Sequence, residues 1–403
     1  MNYSAKEIMQ YVDEEDVKFI RLAFCDVFGQ QKNISIMPGE LKRAFSCGIA
    51  IDASAVYGFG GEIHSDLFLV PDPSTITPLP WRPEHGRVIR LFCNIKHPDG
   101  KPFEADTRAI LKKAVDMAEA KGYRFTFGSE IEFYLFKTDD NGNPTKEPYD
   151  NAGYMDIAPA DKGENVRREI CLTLEKMGIR PESSHHEVGP GQNEIDFKFS
   201  SPLKAADDAV TFCSVVRTVA ARNGLYADFS PKPLKNKPGN GYHINISIEN
   251  GEKSDLIPYM VTGILEKISD ITLFLNSIES SYERLGNNKA PGYITWSAEN
   301  RSQLIRIPAA EGDYRRAELR SPDPYANPYL AFALLIHACV YGLEKHELPP
   351  EAADINMYEA DYENIKKYKK LPATLSEALK TAMASDFVKN IIPASIIKAY
   401  SGK

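Results

Sequence analysis

The sequence has few of the features that mark secreted, membrane-spanning or disulfide-stabilised proteins. Its 403 residues include only 6 cysteines, and these are scattered without a CxxC pair, which excludes a compact disulfide framework and disfavours a cysteine metal site. The longest apolar run, residues 331–343, is too short to span a bilayer. The first residues, MNYSAKEIMQYVDEED, lack the apolar segment of a secretion signal. We therefore expect a cytoplasmic protein that does not act at a membrane.

An excess of positive charge and a glycine-rich phosphate loop are also lacking. The chain has 48 Lys and Arg against 56 Asp and Glu, a formal net charge of −8, so nucleic acid is not expected as a partner. Neither GxxxxGKS/T nor GxGxxG occurs in the chain. Any bound nucleotide would therefore have its phosphates held by metal ions and arginines instead of by amides at a helix N-terminus.

The length and the order of local patterns predict a two-domain α+β protein. The first hundred residues are rich in strand patterns, and the turn HPDGKP, residues 97–102, marks a boundary between domains 1–100 and 101–403. Beyond it, short strands alternate with helices, several of which end just before a glycine. The predicted helices cover residues 107–121, 164–177, 204–223 and 324–345, and TLSE at 374–377 has the spacing of a capping box that opens another.

Four predicted strands carry polar side chains on one face and apolar side chains on the other, because alternate side chains of a strand share a face. Any one of them could be the solvated side of an antiparallel sheet. Together they indicate a sheet whose inner face encloses a charged cavity. The inner-face residues are Glu130, Glu132 and Tyr134 in SEIEFYLF, Glu194, Asp196 and Lys198 in NEIDFKF, His243, Asn245 and Ser247 in YHINISI, and Arg316, Glu318 and Arg320 in RAELR.

Carboxylates gathered in this way predict bound divalent cations. Their charges repel and raise one another's pKa values unless cations neutralise them. Oxygen ligands with one imidazole favour Mg²⁺ or Mn²⁺ over a thiol-seeking metal. The segment HHEVGPGQNE adds Glu187 ahead of Glu194, whereas His185 and His186 are expected to pack or to form local hydrogen bonds.

Two arginines beside these strands predict phosphate binding. Arg301 and Arg306 lie in NRSQLIRIP, which we interpret as a strand. A guanidinium binds a phosphate through two parallel hydrogen bonds, so a pair of arginines on a rigid strand suits this role. Surface ion pairs are the alternative, because the chain is rich in acidic residues.

A series of segments, spread through most of the chain in one order, carries a family resemblance. They are SDLFLVPDPST (65–75), DGKPFEADTR (99–108), GSEIEFYLF (128–136), DIAPADKGENVRREI (156–170), ESSHHEVGPGQNEIDFKF (182–199), PKPL (231–234), GNGYHINIS (239–247), SYERL (281–285), WSAENRSQLIRIP (296–308) and RAELRSPDPYANPYLA (316–331). In this order they resemble bacterial type I glutamine synthetases. The resemblance implies a small N-terminal β-grasp-like domain and a larger catalytic domain with a curved antiparallel sheet surrounded by helices.

Matched residue by residue, the resemblance implies a site for two metal ions, glutamate and ATP. One Mg²⁺ or Mn²⁺ ion is assigned to Glu132, Glu187 and Glu194, and the other to Glu130, His243 and Glu318. The positions that bind glutamate are Glu132, Gly239, Arg284 and Arg320, and those that bind ATP are Glu182, Ser247, Arg301, Arg306 and Arg316. Arg301 and Arg320 are also implied in catalysis, Arg301 by steadying the transferred phosphoryl group.

The implied reaction has two steps. The side-chain carboxylate of glutamate attacks the γ-phosphate of ATP to form γ-glutamyl phosphate, and ammonia then displaces phosphate to give glutamine. Asp52, in IDASAVYGF, matches the catalytic aspartate that takes a proton from ammonium. In the family this loop reaches the active site of a neighbouring subunit, so a homo-oligomeric ring is expected. The short C-terminus SIIKAYSGK favours a single hexamer over a stacked double ring.

Departures from the family pattern bear on the nitrogen acceptor. Lys289 in ERLGNNKAP stands where the family has a flap glutamate, and Ala53 and Ala55 replace a glycine and a serine near the nitrogen site. If the ammonium group of Lys289 lies about 4 Å from a bound ammonium ion, their repulsion amounts to roughly 4 kcal/mol at surface-like dielectric. Alternatively, Lys289 could point to solvent. The alternatives are a γ-glutamyl–amine ligase with an organic amine as acceptor, and a regulatory homologue with little catalysis.

Overall fold

The computed structural model describes residues 3–61, 65–82, 85–249, 255–287, 289–310, 312 and 315–402. Within these ranges the chain forms two sheets, one built from residues 17–96 and the other from residues 124–319, with helices packed on and around them. The predicted α+β class is confirmed. No helix in the described ranges has the length and apolarity that a membrane span requires.

The N-terminal sheet has a parallel central pair flanked by antiparallel strands. Its spatial order is β2-β1-β6-β4-β3, with the short β5 paired to β6, and β1 runs parallel to β6. Ser4 caps the first helix, and Glu7 completes a capping box. The elements are α1 (Ala5–Glu14), β1 (Val17–Cys25), β2 (Gln31–Ile36), α2 (Leu41–Cys47), β3 (Ile49–Asp52), β4 (Asp66–Pro71), β5 (Thr77–Pro78) and β6 (Arg87–Lys96).

The second sheet is larger, mostly antiparallel and curled. Its order is β13-β14-β15-β12-β7-β10-β9, and β8 and β11 also pair with β7. Its strands are β7 (Arg124–Thr138), β8 (Pro144–Pro148), β9 (Pro181–His186), β10 (Gln192–Ser200), β11 (Leu225–Asp228), β12 (Tyr242–Glu249), β13 (Trp296–Ala298), β14 (Ile305–Ile307) and β15 (Ala317–Leu319). The long β7 lies at the centre and therefore sets the register of its neighbours.

Five helices of this part of the chain were predicted, and all but one of them begin close to the predicted positions. The observed helices are α3 (Thr107–Ala120), α4 (Glu164–Lys176), α5 (Pro202–Arg222), α6 (Ile257–Leu275), α7 (Glu279–Arg284), α8 (Pro328–Lys345), α9 (Tyr362–Ile365), α10 (Leu375–Ala384), α11 (Asp386–Ile391) and α12 (Ala394–Ser401). The helix predicted from residue 324 begins at Pro328, because the Asn327 side chain accepts a hydrogen bond from the Tyr329 amide and caps the helix there. Thr374 caps α10 as the TLSE pattern predicts.

One side of the large sheet is apolar and is covered by α5 and α8. Phe133 meets Phe212 of α5 with ring centroids 6.1 Å apart, and Phe127 stacks on Phe332 of α8 at 4.2 Å. These four rings are buried, as are the alternate strand residues Ile195 and Ile244. Since strand side chains alternate, the polar residues between them project from the opposite side of the sheet.

Buried polar contacts join the N-terminal sheet to the rest of the chain. Asp207 on α5 accepts hydrogen bonds from the Arg108 guanidinium at 3.0 and 3.1 Å and from the Tyr329 hydroxyl at 2.7 Å. Arg108 also lies 3.0 Å from Asp72, which follows β4. The Asn327 amide donates to the carbonyl of Val27, in the β1–β2 turn, at 3.1 Å. The domain division near residue 100 stays a prediction.

Candidate active site

Strand register brings the acidic side chains of the large sheet into adjacent rows. β7 pairs antiparallel with β10 on one side and with β12 on the other, and β12 pairs with β15. Side chains directly opposite each other on neighbouring strands lie about 4.5–5.5 Å apart at Cβ. The opposed pairs are Glu132 with Glu194, Glu130 with Asp196, Glu130 with His243, and Glu318 with Asn245.

The first assigned metal position is assembled by this register. Ligand atoms of Glu130, His243 and Glu318 all lie within 4.8 Å of one another. The Nδ1 atom of His243 is 3.3 Å from the Glu130 carboxylate and 3.8 Å from that of Glu318. Three strands thus contribute one of these side chains each. Their role as metal ligands stays a prediction.

Glu132, Glu187 and Glu194, which the sequence assigns to the other metal, lie beside this group. Their ligand atoms do not form one compact set of three but belong to two sets, each of which includes a histidine. Glu132, Glu194 and His243 form one set of atoms within 4.8 Å, and His185, Glu187 and Glu194 form another. Glu194 joins the two sets. His185 lies 3.4 Å from the Glu194 carboxylate, so it is part of the cluster in addition to the local contacts predicted for it.

His186 forms the local hydrogen bonds that the sequence predicts. Its Nε2 atom lies 2.8 Å from the Asp150 carboxylate and its Nδ1 atom 2.6 Å from the Glu187 carbonyl oxygen. Arg167 occupies the same buried region through its ion pair with Asp161. The Nε atom of Arg167 is buried without a hydrogen-bond partner among the described residues, but the His186 ring is held on both sides and so supports the backbone of Glu187.

The acidic cluster is electrostatically strained. Burial raises the pKa of Glu194 well above the usual carboxyl range, and the neighbouring Glu132 adds to the effect. Burial and the same neighbour also raise the pKa of Glu187, and burial followed by repulsion from Glu130 raises the pKa of Asp196 to about 7. Full ionisation of the cluster is therefore disfavoured in the absence of cations.

Glu130 behaves differently from Glu187, Glu194 and Asp196. Its burial acts to raise its pKa, but hydrogen bonds and charge interactions with His243, with help from Asn245 and Arg320, hold the pKa at about 2. One firmly ionised carboxylate among several that resist ionisation is a donor set suited to hard divalent cations, which would neutralise the remaining charge. The residues present thus fit Mg²⁺ or Mn²⁺.

The cluster lines a cavity of about 190 Å³ that also contains basic groups, and we call it the acidic cavity. Gly239 is placed there for steric reasons, since a Cβ at this position would lie 2.2 Å from the Pro231 carbonyl oxygen and 2.9 Å from Cγ of Arg284. Arg284 is buried and donates to the Ser321 carbonyl at 2.7 Å. The lining includes Glu130, Glu132, Tyr154, Glu187, Glu194, Gly239, His243, Arg284, Lys289, Arg301 and Arg320.

Arg320 and Glu318 are buried together beside this cavity. Glu318 accepts from Arg320 and, at 2.7 Å, from Arg306. The Nε atom of Arg320 is buried and has no hydrogen-bond partner within the described residues. A carboxylate or phosphate group entering the cavity would supply one.

The residues assigned to ATP are divided between two cavities and strand β14. Glu182, Ser247 and Arg316 line a second cavity of about 120 Å³, which shares Glu130 with the acidic cavity. Arg301 lines the acidic cavity itself. It lies in a turn and not on the predicted strand, whereas Arg306 is on β14. Arg306 is not among the described residues that line either cavity.

Asp52 lies apart from these residues. It is exposed at the end of β3, and its carboxylate accepts hydrogen bonds from the Ser54 hydroxyl at 2.6 Å and the Ser54 amide at 2.9 Å. The Ser54 contacts lower the pKa of Asp52. Among the residues described for a single chain, it lines neither cavity.

Two amides in the site were not assigned from the sequence. Asn245 donates to Glu130 at 2.8 Å and accepts from Arg316 at 2.8 Å, which links the two cavities. Gln192 donates to Glu132 at 3.1 Å and to the Gly239 carbonyl at 3.1 Å. Asn245 was predicted on the inner face with His243 but was given no role, and Gln192 lies two residues before Glu194 on the same strand, a spacing that could have identified it.

Comparisons with known proteins agree with this architecture. The family model described as glutamine synthetase, beta-Grasp domain, matches residues 16–98, and the model described as glutamine synthetase, catalytic domain, matches residues 104–402. A glutamine synthetase of Methanosarcina mazei is 43% identical over 410 residues, covering 98% of this chain and 92% of that protein. One from Clostridium saccharobutylicum is 40% identical over 405 residues, covering 97% and 91%.

A solved structure gives the same overall fold. A GmaS chain in complex with ADP superimposes with a TM-score of 0.88 at 26% sequence identity, covering 100% of this chain and 95% of that one. The predicted β-grasp and catalytic architecture is therefore confirmed, as is the family resemblance. This chain belongs to the glutamine synthetase family, and it is a ligase.

Proposed function

We propose that this ligase joins ammonia to the side-chain carboxylate of glutamate in an ATP-dependent reaction that passes through γ-glutamyl phosphate and yields glutamine. One observation carries the proposal. Four carboxylates and one imidazole line a single cavity that also contains three arginines, and a fifth carboxylate, that of Glu318, is buried within reach of Glu130 and His243. That combination suits a reaction in which two anions, ATP and glutamate, must approach each other.

Two Mg²⁺ or Mn²⁺ ions are proposed as the resident metals. Glu130, His243 and Glu318 would hold one, and Glu132, Glu187 and Glu194 the other, as the resemblance implies. Such ions neutralise charge on phosphoryl oxygens. His185 is added as a candidate ligand or support, because its ring lies 3.4 Å from Glu194.

The chain's own basic groups are proposed to position the substrates. Arg284 would bind the α-carboxylate of glutamate, with Gly239 leaving room for the substrate, and the buried Arg320 would orient the side-chain carboxylate. Arg301 would bind the transferred phosphoryl group. The second cavity, with Glu182, Ser247 and Arg316, would take the nucleotide part of ATP, and Arg306 is assigned there by resemblance alone.

The nitrogen step is proposed to involve a neighbouring subunit. The exposed position of Asp52, outside both cavities of its own chain, agrees with a role in the cavity of an adjacent copy. Its lowered pKa keeps it ionised and able to attract ammonium. A hexameric ring is the proposed assembly, and the mass of the protein in solution tests it.

An organic amine as the acceptor is the second candidate, and Lys289 favours it. This side chain lines the acidic cavity, with its Nζ atom 4.9 Å from the centre of the Tyr154 ring. It also acts to lower the pKa of Glu187. The ammonium group of a lysine at this position repels ammonium but could bind an anionic group on a larger amine.

The test is phosphate release with glutamate, ATP and Mg²⁺ or Mn²⁺, using ammonium or a panel of amines as acceptor. Turnover with ammonium at low-millimolar concentration supports the first proposal. Turnover only with amines, together with a gain of ammonium use in Lys289→Glu, supports the second. Lys235→Glu, which alters an exposed lysine outside the cavity, is the matched control. Normal metal binding without turnover for any acceptor would instead favour a regulatory homologue.

A further inference from the structure

A third cavity lies between the N-terminal sheet and α5, on the apolar side of the large sheet, where Ile131 and Tyr242 also line it. Its volume is about 280 Å³. Its polar lining includes Arg21, Gln31, Asn33, Ser214, Arg217 and Thr218. We call it the basic cavity, because no aspartate or glutamate occurs among the described residues that line it.

The two walls of this cavity follow from the periods of a strand and a helix. On one wall, Arg21 of β1 shares a face with Gln31 and Asn33 of β2, since the register pairs Arg21 with Ser35, Ala23 with Asn33 and Cys25 with Gln31. On the other wall, α5 contributes residues 210, 213, 214, 217 and 218, the three- and four-residue spacing of one helix face. Both walls are thus built by regular elements.

The two guanidiniums of the basic cavity have no anionic partner among the described residues. Within the described part of the chain, neither Arg21 nor Arg217 donates a hydrogen bond or forms an ion pair; Arg217 lies over the Phe229 ring at 4.8 Å. By contrast, the buried Arg108 and Arg167 are each paired with an aspartate. Burial and the nearby Arg82 lower the pKa of Arg21, so its charge is poorly compensated.

A third group in the basic cavity needs a hydrogen-bond donor. The Oε1 atom of Gln31 is buried and accepts no hydrogen bond from the described residues. Such an acceptor is costly to leave unsatisfied. A hydroxyl or amino group on a bound molecule would satisfy it, while acidic groups on the same molecule would meet the guanidiniums.

We propose that the basic cavity is a binding site for a small organic dianion that also carries a hydroxyl or amino group, separate from the site of catalysis. The two negative charges, carried by two carboxylates or by one phosphate group, pair with Arg21 and Arg217, and the donor group bonds to Gln31. Arg217 is exposed, which gives such a molecule access from solvent. The ligand bridges the β1–β2 hairpin and α5, and so it stabilises the contact between the N-terminal sheet and the rest of the chain.

The experiment is calorimetric titration of the full-length assembled protein with malate and, separately, with glycerol 3-phosphate. Malate represents a dicarboxylate ligand and glycerol 3-phosphate a phosphomonoester ligand, and both carry a hydroxyl group. Saturable binding of either one, at one molecule per chain, is expected. Arg21→Gln and Arg217→Gln should each weaken it by about tenfold or more, because each removes one charge-assisted pair. Succinate, which lacks the hydroxyl, should bind less tightly than malate.

Control variants separate this site from others that attract anions. Arg301→Gln removes a guanidinium from the acidic cavity. Arg222→Gln removes a guanidinium that lies on α5, like Arg217, but pairs with Glu169 at 3.4 Å. Both should leave the affinity unchanged. Arg217→Lys retains the positive charge and serves as a second variant at this position. An unchanged melting temperature shows that this variant folds. No saturable binding of either dianion, or equal affinities in Arg21→Gln, Arg217→Gln and the parent protein, would overturn the proposal.

Discussion

The acidic cavity and the basic cavity are opposite in charge and are also built in different ways. Except for Glu187, the acidic residues lie on paired strands of one sheet, where backbone hydrogen bonds fix the spacing of the side chains. The basic residues Arg21 and Arg217 come from a strand and a helix that meet only through tertiary packing. The arrangement of the acidic cavity can be predicted from short sequence patterns, and its side chains can move little relative to one another. The arrangement of the basic cavity depends on how two distant parts of the chain are held together.

The largest expected effect is on the acidic cavity and follows removal of one strand-borne carboxylate. Glu318→Gln keeps the shape of the side chain but withdraws the charge that Arg320 and Arg306 share, and with it a proposed metal ligand. We expect phosphate release to fall about a thousandfold. Glu249→Gln, on the exposed end of the neighbouring β12, is the control. A loss below tenfold for Glu318→Gln, or an equal loss for Arg217→Gln, would remove the distinction between the cavities.

The next effect tests the packing on which the basic cavity depends. Asp207→Asn withdraws the charge that holds Arg108 and weakens the contact with Tyr329, which leaves Asp72 as the only carboxylate among the described residues that pairs with this buried guanidinium. We expect a loss of about 3 kcal/mol in the free energy of unfolding, measured by urea titration at constant metal concentration. Asp116→Asn, which breaks only an exposed pair with Lys112, should change little. Equal stability of the two variants would show that the buried network does not hold the two parts together.

A smaller effect is expected from steric change in the wall of the acidic cavity. Gly239→Ala inserts a methyl group against the Pro231 carbonyl and the Arg284 side chain. We expect the free energy of unfolding to fall by about 2 kcal/mol. The KM for glutamate should rise more than the KM for ATP, because Arg284 is displaced. Gly39→Ala, where no atom lies within 4 Å of the added Cβ, is the matched control. An unchanged KM for glutamate would argue against the role proposed for Arg284.

The smallest expected effect is a pH-dependent response to metal. The folded-state pKa values of Glu194, Glu187 and Asp196 are raised, that of Asp196 to about 7. Between the ordinary carboxyl range and pH 7, the metal-free native state therefore binds more protons than the unfolded chain, and its stability falls as pH rises. Dications that hold these groups ionised relieve this loss, so Mn²⁺ should raise the melting temperature more at pH 7.5 than at pH 5.5.

The difference should be on the order of a few degrees, measured by calorimetry with and without Mn²⁺. Glu194→Gln removes one of the titrating groups and should reduce the difference. Arg217→Gln alters only the basic cavity and should not. A metal-induced shift that is equal at both pH values would contradict the electrostatic account of the acidic cluster.

The contrast between the cavities also explains what could be predicted from the sequence. The alternation in SEIEFYLF, NEIDFKF, YHINISI and RAELR predicted which side chains face the site, because a strand has a fixed period of two. Glycines after helices located three helix ends to within one or two residues. The start of α8 was predicted four residues too early, since the capping role of Asn327 outweighs the apolar pattern that precedes Pro328.

What the sequence did not predict depends on packing between distant segments. Arg301 was expected on a strand but lies in a turn, from which it reaches the acidic cavity, while Arg306 turns to Glu318 instead. His185 joins the cluster because β9 pairs with β10, a register that one strand alone cannot reveal. The basic cavity had no local signal at all, since Arg21 and Arg217 are separated by most of the first half of the chain.

The side chain of Asn327 has a thermodynamic consequence. Its oxygen accepts from the Tyr329 amide to start α8, and its nitrogen donates to the Val27 carbonyl in the β1–β2 turn. One residue thus serves a helix terminus and a contact between distant parts of the chain, so neither can be lost without weakening the other. Melting should then occur as one cooperative transition, with the N-terminal sheet and α8 losing their structure at the same temperature.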